Sequence, residues 1–214
     1  MVAPDHRDNT FFDPVDDDVE AVFEVLRLRR PIDVTDAYAA VLDDEDLGGC
    51  AEPDAFAVSG HSFGGYTALA LAGAEVELVD GPVELGDSRV WAIVGLAPWD
   101  GEAILGGTAV ITAPTLLFTG LLDQTTMIEQ VRDLYAPMTQ PDRHLGILVA
   151  GGHFTFSPIG CALFEGDGCG EEFVPLELAN ALTSVSALSL LELARGVEGA
   201  IAQLPLEAPE LIWE

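Results

Sequence analysis

The chain has 214 residues, of which 49% are hydrophobic, and this length and composition predict one folded domain with a sizeable core. Its 37 acidic residues face only 8 basic ones, all of them arginine, so that the formal net charge is -29. A surface of this charge repels phosphate groups, which argues against binding to nucleic acid and disfavours anionic membranes. A salty environment and a genome that prefers arginine to lysine explain this composition equally well.

Helical and strand-like patterns begin at the N-terminus. The first residues, MVAPDH, are typical of the end of a strand. A helix is predicted next, because Val22, Phe23 and Leu26 recur at helical spacing. Pro31 predicts the start of a second helix, since proline is favoured at the first helical position.

Further along the chain, short apolar segments alternate with helical ones. The predicted buried strands are AFAVSG, RVWAIVGLAPW, PTLLFTG and HLGILVAGG. The predicted helices are GGYTALALAGA, TTMIEQVRDLYAPM and the segment from about 172 to 204. This alternation predicts a single α/β domain over 1–214, with a mostly parallel sheet, helices on both faces, and a surface tail at 205–214.

A glycine-rich motif follows the strand AFAVSG. Residues Gly60-His61-Ser62-Phe63-Gly64 fit G-x-S-x-G, the nucleophile elbow. The elbow holds its serine in a strained backbone conformation, and glycines two positions to either side avoid clashes with the neighbouring strand and helix. The Phe63 amide, at the start of the next helix, would then face a developing oxyanion. His61 is expected to contribute its backbone more than its ring. The motif also arises by chance, so a tight turn that happens to contain a serine stays an alternative.

Candidates for an acid and a base follow two later strands. Asp123 comes after PTLLFTG and His153 after HLGILVA, and the order Ser62, Asp123, His153 is that of an α/β-hydrolase triad. Because the carboxyl ends of parallel strands meet at one edge of a sheet, the three side chains can converge. His153 would take the proton of Ser62 and Asp123 would orient His153. Alone, Asp123 could cap the next helix, and Asp100 is the second candidate for the acid.

Aromatic residues lie near the predicted site. Phe63, Trp99, Phe154 and Phe156 are candidates for the lining of an apolar acyl pocket, although aromatic side chains near strand ends are more often part of the core. The sequence predicts no cofactor.

The chain has three cysteines. Cys161 and Cys169 bracket a short loop whose Gly-Asp-Gly can turn the chain back far enough for a disulfide, with two unpaired thiols as the alternative. Cys50 is left over, and the spacing of the three is a poor match to a zinc site, so no metal is predicted.

These motifs resemble the α/β-hydrolase superfamily, and most of all its dienelactone hydrolase and platelet-activating-factor acetylhydrolase-like group, which is related to cutinase-like polyester hydrolases. The resemblance covers nearly the whole chain and rests on GHSFGGYTALALAGA, RVWAIVGLAPWDG, PTLLFTGLLDQTT and GGHFTFSPIGC. It implies a serine esterase without a cofactor that acts on small-molecule or lipid-like esters. Ser62 would be the nucleophile, Asp123 the acid, His153 the base, and the Phe63 amide an oxyanion donor.

The chain departs from this family at its N-terminus. Family members have several strands before the one that ends in APDH, and a His-Gly loop among them supplies a second oxyanion donor. The expectation is therefore an N-terminally truncated hydrolase with an exposed sheet edge. Loss of one donor lowers the rate on the order of 10²–10³-fold. A catalytically impaired fragment, or a non-enzymatic binding protein with the same fold, is the alternative, and an amide or peptide substrate is a further one.

Targeting signals are not evident in this sequence. Its N-terminus has no basic region followed by an apolar one, so no signal peptide is predicted, and no apolar run reaches the ~18 residues of a membrane helix. A Cys161–Cys169 disulfide would imply a periplasmic or secreted protein. By resemblance, the pair corresponds to one that follows the histidine in secreted members of the family. The oligomeric state cannot be read from the sequence.

Overall fold

The computed structural model describes residues 1–6, 19–99, 105–163, 166–196 and 207–214. Its strands are β1 (Phe56–His61), β2 (Glu75–Leu78), β3 (Gly81–Glu84), β4 (Val90–Leu96), β5 (Leu105–Gly107), β6 (Thr115–Gly120), β7 (Arg143–Leu148) and β8 (Leu211–Trp213). Its α-helices are α1 (Val19–Asp43), α2 (Phe63–Leu71), α3 (Ile128–Tyr135), α4 (Pro158–Leu163) and α5 (Leu176–Ala194).

A mostly parallel sheet of five strands forms the centre of the fold, in the order β1-β4-β6-β7-β8. The first four strands are parallel, and β8 runs antiparallel to β7. The α/β class and the mostly parallel sheet are therefore confirmed. The surface tail predicted at 205–214 is wrong for its last residues, because Leu211–Trp213 pairs with β7 and Leu211 is buried. Three residues are too few to show a strand pattern in the sequence.

Helices cover both faces of this sheet. Along β6, Leu117 packs into the layer that contains α2 and α3, whereas Leu116 and Phe118 pack into the layer that contains α5. Every residue of β6 is buried, which explains why its sequence is continuously apolar rather than alternating. Within the described part of the chain, α5 is the one helix that is long and apolar enough to cross a membrane, a test that core helices also pass.

The N-terminal region differs from the prediction in two respects. Residues 1–6 form no strand, and His6 instead bonds through Nδ1 to Asp33 Oδ2 of α1 at 2.9 Å. Pro31 does not begin a second helix but lies inside the continuous helix α1. Proline has no N–H to donate to the carbonyl four residues earlier, that of Arg27. The buried Tyr66 hydroxyl of α2 donates to that carbonyl at 3.1 Å, which explains how α1 continues through the proline.

Among the described strands, β1 lies at an edge of the five-stranded sheet. In the part of the chain that the structure describes, β4 is its only neighbouring strand, and Ala57 and Ser59 are exposed. A second, antiparallel sheet in the order β3-β2-β5 was not predicted. The hairpin between β2 and β3 turns at Val79 and Asp80, and the Asp80-Gly81 pair between two short alternating segments is the signal that could have indicated it.

Candidate active site

The turn between β1 and α2 holds Ser62 in an unusual backbone conformation. Its φ of 54° and ψ of -117° lie where glycine is favoured, and such a conformation persists only when the surrounding structure enforces it. The Ser62 N–H donates to the Leu96 carbonyl at 2.9 Å, and the Ser62 carbonyl accepts the Trp99 N–H at 3.0 Å. The elbow is therefore anchored to the end of β4, the neighbouring strand.

The glycines around Ser62 have separate steric roles. A Cβ on Gly60 would lie 2.2 Å from the backbone of Gly64, and one on Gly65 would lie 2.6 Å from Pro98 Cβ. A Cβ on Gly64 would meet nothing closer than Arg30 Nη2 at 4.0 Å. The predicted clash is thus confirmed for Gly60, two positions before the serine. It is wrong for Gly64, two positions after the serine, whose own backbone is what a side chain at position 60 would meet.

The Phe63 amide is available to an anion. Phe63 is the first residue of α2, and its N–H has no hydrogen-bond partner among the described residues. The first N–H groups of a helix lack intrahelical partners and carry partial positive charge. This is the environment that an oxyanion requires.

His153 and Asp123 form a buried pair at the exits of β7 and β6. His153 Nδ1 lies 3.1 Å from Asp123 Oδ2, and the two residues are 2% and 5% exposed. Asp123 Oδ1 also accepts the N–H groups of Thr125 and Thr126, at 2.9 and 2.7 Å. Asp123 therefore caps a turn as well as pairing with His153. It does not cap α3, which begins only at Ile128.

Thr126 completes this pair and was not predicted. Its hydroxyl is fully buried and donates to Asp123 Oδ2 at 2.9 Å, and it lies 3.2 Å from His153 Nδ1. With these contacts every oxygen of the Asp123 carboxylate has hydrogen-bond donors, which stabilise a charge held away from water. Aspartate favours turns in which its side chain accepts the backbone N–H two residues further on, and the aspartate that opens DQTT is the signal that could have indicated this turn.

Ser62 and His153 approach the same edge of the sheet without bonding. In the described part of the chain the Ser62 hydroxyl makes no hydrogen bond, to His153 or to any other group. Because His153 Nδ1 faces Asp123, its Nε2 is the nitrogen left for a serine or a substrate. The structure thus brings the predicted acid and base together, but it shows no hydrogen bond between the predicted nucleophile Ser62 and His153.

The His61 ring links the elbow to the loop of His153. Its Nε2 lies 2.9 Å from the His153 carbonyl, which can only accept, so this nitrogen carries the hydrogen. The two rings are 4.7 Å apart between centroids. Burial, followed by the charge of His153, lowers the pKa of His61 to about 4, which keeps the ring neutral. The His61 ring thus makes a contact that the sequence did not indicate, and the expectation that the backbone matters more than the ring stays a prediction.

Two of the aromatic residues predicted to line a pocket, Phe63 and Trp99, belong to one aromatic cluster. Phe63 and Trp99 meet edge to face at 5.0 Å, and Phe23 of α1 packs against both. The Arg30 guanidinium lies 4.6 Å from the centroid of the Phe63 ring. Burial lowers the pKa of Arg30 to about 10. This cluster therefore joins α1 to the elbow.

The other two pocket candidates have different neighbours. Phe154 is half-buried and packs against the rings of His153 and His61, at 5.1 and 6.2 Å. Phe156 is buried and packs against Phe118 of β6, which places it in the core, as the alternative reading held. Trp99 thus lies beside Phe63 of the elbow, whereas Phe154 lies beside His153.

The cysteines follow the pairing predicted for them. Cys161 and Cys169 form a disulfide with their Cα atoms 5.4 Å apart, and Cys50 is free and exposed. Among the described residues, no group of three histidine, cysteine, aspartate or glutamate side chains could hold a metal ion. Asp100, the second candidate for the acid, lies outside the described residues.

Comparison with known proteins finds no family model that matches this chain and no similar curated protein. The chemistry of the site is therefore inferred from its own residues.

Proposed function

We propose that the chain is a serine hydrolase that cleaves carboxylic esters through an acyl-enzyme intermediate. The observation that carries the proposal is the buried bond between Asp123 and His153 at the sheet edge where Ser62 is held at a φ of 54°. A strained serine at a strand-to-helix turn and a histidine oriented by a buried carboxylate together are the parts of a Ser-His-Asp triad.

In the first half of the reaction, the Ser62 hydroxyl attacks the ester carbonyl while His153 Nε2 accepts its proton. Asp123 keeps the His153 hydrogen on Nδ1 and stabilises the imidazolium that forms. The oxyanion of the tetrahedral intermediate accepts the free Phe63 N–H. His153 then donates the proton to the leaving alcohol, and the acyl group remains on Ser62. The open contact between Ser62 and His153 suits this scheme, because catalytic hydrogen bonds often tighten only when substrate binds.

In the second half, water takes the place of the alcohol. His153 Nε2 removes a proton from this water as it attacks the acyl carbonyl, and the collapse of the second intermediate returns the proton to Ser62. Phe63 provides one oxyanion donor, and no second donor is identified among the described residues. Removal of one such donor costs on the order of 10²–10³-fold in rate, so we expect slow turnover from this chain.

The same proposal places the chain in the α/β-hydrolase superfamily, near the dienelactone hydrolase and platelet-activating-factor acetylhydrolase-like esterases. The support is the strand order β1-β4-β6-β7, with serine, acid and histidine following β1, β6 and β7. The Cys161–Cys169 disulfide favours an oxidising compartment, either periplasmic or outside the cell.

The alternative function is a binding protein that has kept this fold and lost the chemistry. Its support is the Ser62 hydroxyl, which has no bond to His153, together with the edge of β1, which pairs with no second strand among the described residues. A third reading, cleavage of amide or peptide bonds, uses the same residues, and only a comparison of substrates separates it from ester cleavage.

The deciding experiment measures hydrolysis of p-nitrophenyl acetate and butyrate by the wild type, Ser62→Ala and Ser59→Ala. Ser59 is an exposed serine on β1 and makes a matched control. We expect Ser62→Ala to lose the activity and Ser59→Ala to keep it. Equal turnover by the wild type and Ser62→Ala would overturn the proposal.

A fluorophosphonate probe followed by peptide mass spectrometry separates the two functions, because it reacts only with an activated serine. Labelling of Ser62 in the folded chain supports the hydrolase. A folded chain that the probe leaves unlabelled supports the binding protein.

A further inference from the structure

The loop closed by the disulfide lies across both segments that carry the acid and the base. Among the described residues of this loop, Asp167 contacts both segments through its side chain. Its Oδ1 accepts the His153 N–H at 2.9 Å. Its Oδ2 accepts the Gln124 N–H at 3.0 Å and the Thr125 hydroxyl at 2.7 Å. One carboxylate thus joins the residue after Asp123 to the backbone of His153.

We propose that Asp167 is a positioning residue that holds Asp123 and His153 in register with each other. The inference rests on the proposed function for its catalytic meaning. Asp123 and His153 follow different strands, and their own bond is a single contact of 3.1 Å. The two bonds from Asp167 to the residues after Asp123 and the one to His153 close a second path between the same two loops.

The backbone of this loop also packs against the segment that contains His153. The Asp167 carbonyl accepts the Phe154 N–H at 2.8 Å, so the loop bonds to two successive amides after Gly152. A Cβ on Gly152 would lie 2.7 Å from Asp167 Oδ1 and 2.4 Å from the N of Gly168. Glycine at 152 is therefore what allows the carboxylate to approach the His153 amide.

The turn that carries Asp167 is held by a backbone hydrogen bond and by the disulfide. The Cys169 N–H donates to the Gly166 carbonyl at 2.6 Å, and Gly168 has a φ of +100° that favours glycine. The Cys161–Cys169 disulfide ties this turn to α4. The Gly-Asp-Gly segment, which the sequence marked only as a means of bringing two cysteines together, thus also places its aspartate between the acid and the base.

The chemistry of the contacts explains why an aspartate is needed. All three groups that face the carboxylate are donors, and an ionised carboxylate accepts through both oxygens. An asparagine keeps one acceptor for the His153 N–H but turns an NH₂ group toward Gln124 and Thr125. An alanine removes every acceptor. A displacement of about 1 Å in a catalytic group costs on the order of 10²-fold in rate.

The test compares kcat and KM for a p-nitrophenyl ester among the wild type, Asp167→Ala, Asp167→Asn and Glu171→Gln. Glu171 is an exposed acid near the same loop, and its variant makes the same change of charge as Asp167→Asn. We expect kcat to fall about 100-fold in Asp167→Ala and about 10-fold in Asp167→Asn, with KM within about two-fold of wild type. Glu171→Gln should keep the wild-type kcat. Should Asp167→Ala fail to fold, Asp167→Asn decides.

A spectroscopic measurement tests the positioning without using activity. The His153 Nδ1 proton is buried and bonded, and its NMR resonance persists only while exchange with water is slow. We expect Asp167→Ala and Asp167→Asn to broaden this resonance, and Glu171→Gln to leave it sharp. A kcat within about two-fold of wild type in folded Asp167→Ala, together with an unchanged resonance, would overturn the proposal. If Ser62→Ala instead keeps full activity, the proposed function fails while the NMR result still judges the role of Asp167.

Discussion

The His61 ring donates a hydrogen bond from Nε2 to the backbone carbonyl of His153, 92 residues further along the chain, over 2.9 Å. The elbow and the loop that contains His153 are thereby joined by a contact that does not involve the Ser62 side chain. His153 is held through three of its atoms: its carbonyl by His61, its amide by Asp167 and its Nδ1 by Asp123. The one ring nitrogen left over is the one that the proposed reaction uses.

Removal of the His61 donor should lower the proposed activity. In His61→Phe the ring volume is kept but the His153 carbonyl loses this bond, and an unpaired buried carbonyl costs about 1–3 kcal/mol. If that cost displaces His153, kcat falls about 10-fold or more. His61→Gln, which can supply an N–H, should retain more activity than His61→Phe. Ester hydrolysis at saturating substrate measures the effect.

The matched control for this comparison is His144→Phe. His144 lies near the start of β7, away from its exit, where its ring packs against Trp213. This variant should keep the wild-type kcat. Wild-type kcat in His61→Phe would contradict a role for the His61 ring.

The pH dependence of stability should carry the signature of His61. Its pKa is lowered from the usual 6.5 to about 4, first by burial and then by the charge of His153. Between these values the unfolded chain binds a proton that the folded chain does not, so stability falls as pH falls from 6.5 toward 4. At pH 5 the loss from His61 is about 2 kcal/mol relative to pH 8. Urea unfolding at several pH values measures it.

Other groups titrate in or near this range, so the comparison needs a variant. Burial also lowers the pKa of His6 and of His144, which adds a loss of the same sign. His61→Gln should remove only the contribution of His61, so that the free energy of unfolding changes less between pH 8 and pH 5 than in the wild type. Parallel curves for the wild type and His61→Gln would contradict the assignment.

The strain at Ser62 predicts a difference in stability between two variants of this residue. Ser62→Gly removes the side chain that disfavours a φ of 54°, whereas Ser62→Ala keeps a Cβ there. We therefore expect Ser62→Gly to be more stable than Ser62→Ala by about 1 kcal/mol. At Ser59, inside β1, the order should reverse, because glycine weakens a strand interior. Denaturant midpoints of the four variants measure both differences, and the same order at the two sites would contradict the strain.

The parallel strands could be predicted because each is a short, continuously apolar segment followed by a polar turn. β1, β4, β6 and β7 all lie within or overlap the predicted segments. The course of α1 could not be predicted, because the group that replaces the missing proline N–H is a tyrosine hydroxyl 39 residues beyond Arg27, whose carbonyl it reaches. Residues 1–6 resembled a strand by composition but are held by the bond from His6 to Asp33.

The contact between Asp123 and His153 could be predicted, since both residues follow strands that end at one edge of the sheet. Thr126, Asp167 and the His61 ring could not, because each acts through contacts between loops. Asp167 lies 14 residues beyond His153, and its role depends on a turn that the disulfide closes. Such contacts leave no periodic pattern in the sequence.

The replacement of the missing Pro31 amide by the Tyr66 hydroxyl can be measured with a double-mutant cycle. Tyr66→Phe removes the donor to the Arg27 carbonyl inside the core and should cost about 1–3 kcal/mol of unfolding free energy. Pro31→Ala restores an N–H at the helical position that bonds to the same carbonyl. In the Pro31→Ala background, Tyr66→Phe should therefore cost about 1 kcal/mol less. Tyr135→Phe, whose hydroxyl bonds to the carbonyls of Arg143 and Glu214 and is only partly buried, is the control and should cost the same in both backgrounds. Additive effects of Tyr66→Phe and Pro31→Ala would show that the hydroxyl does not stand in for the amide.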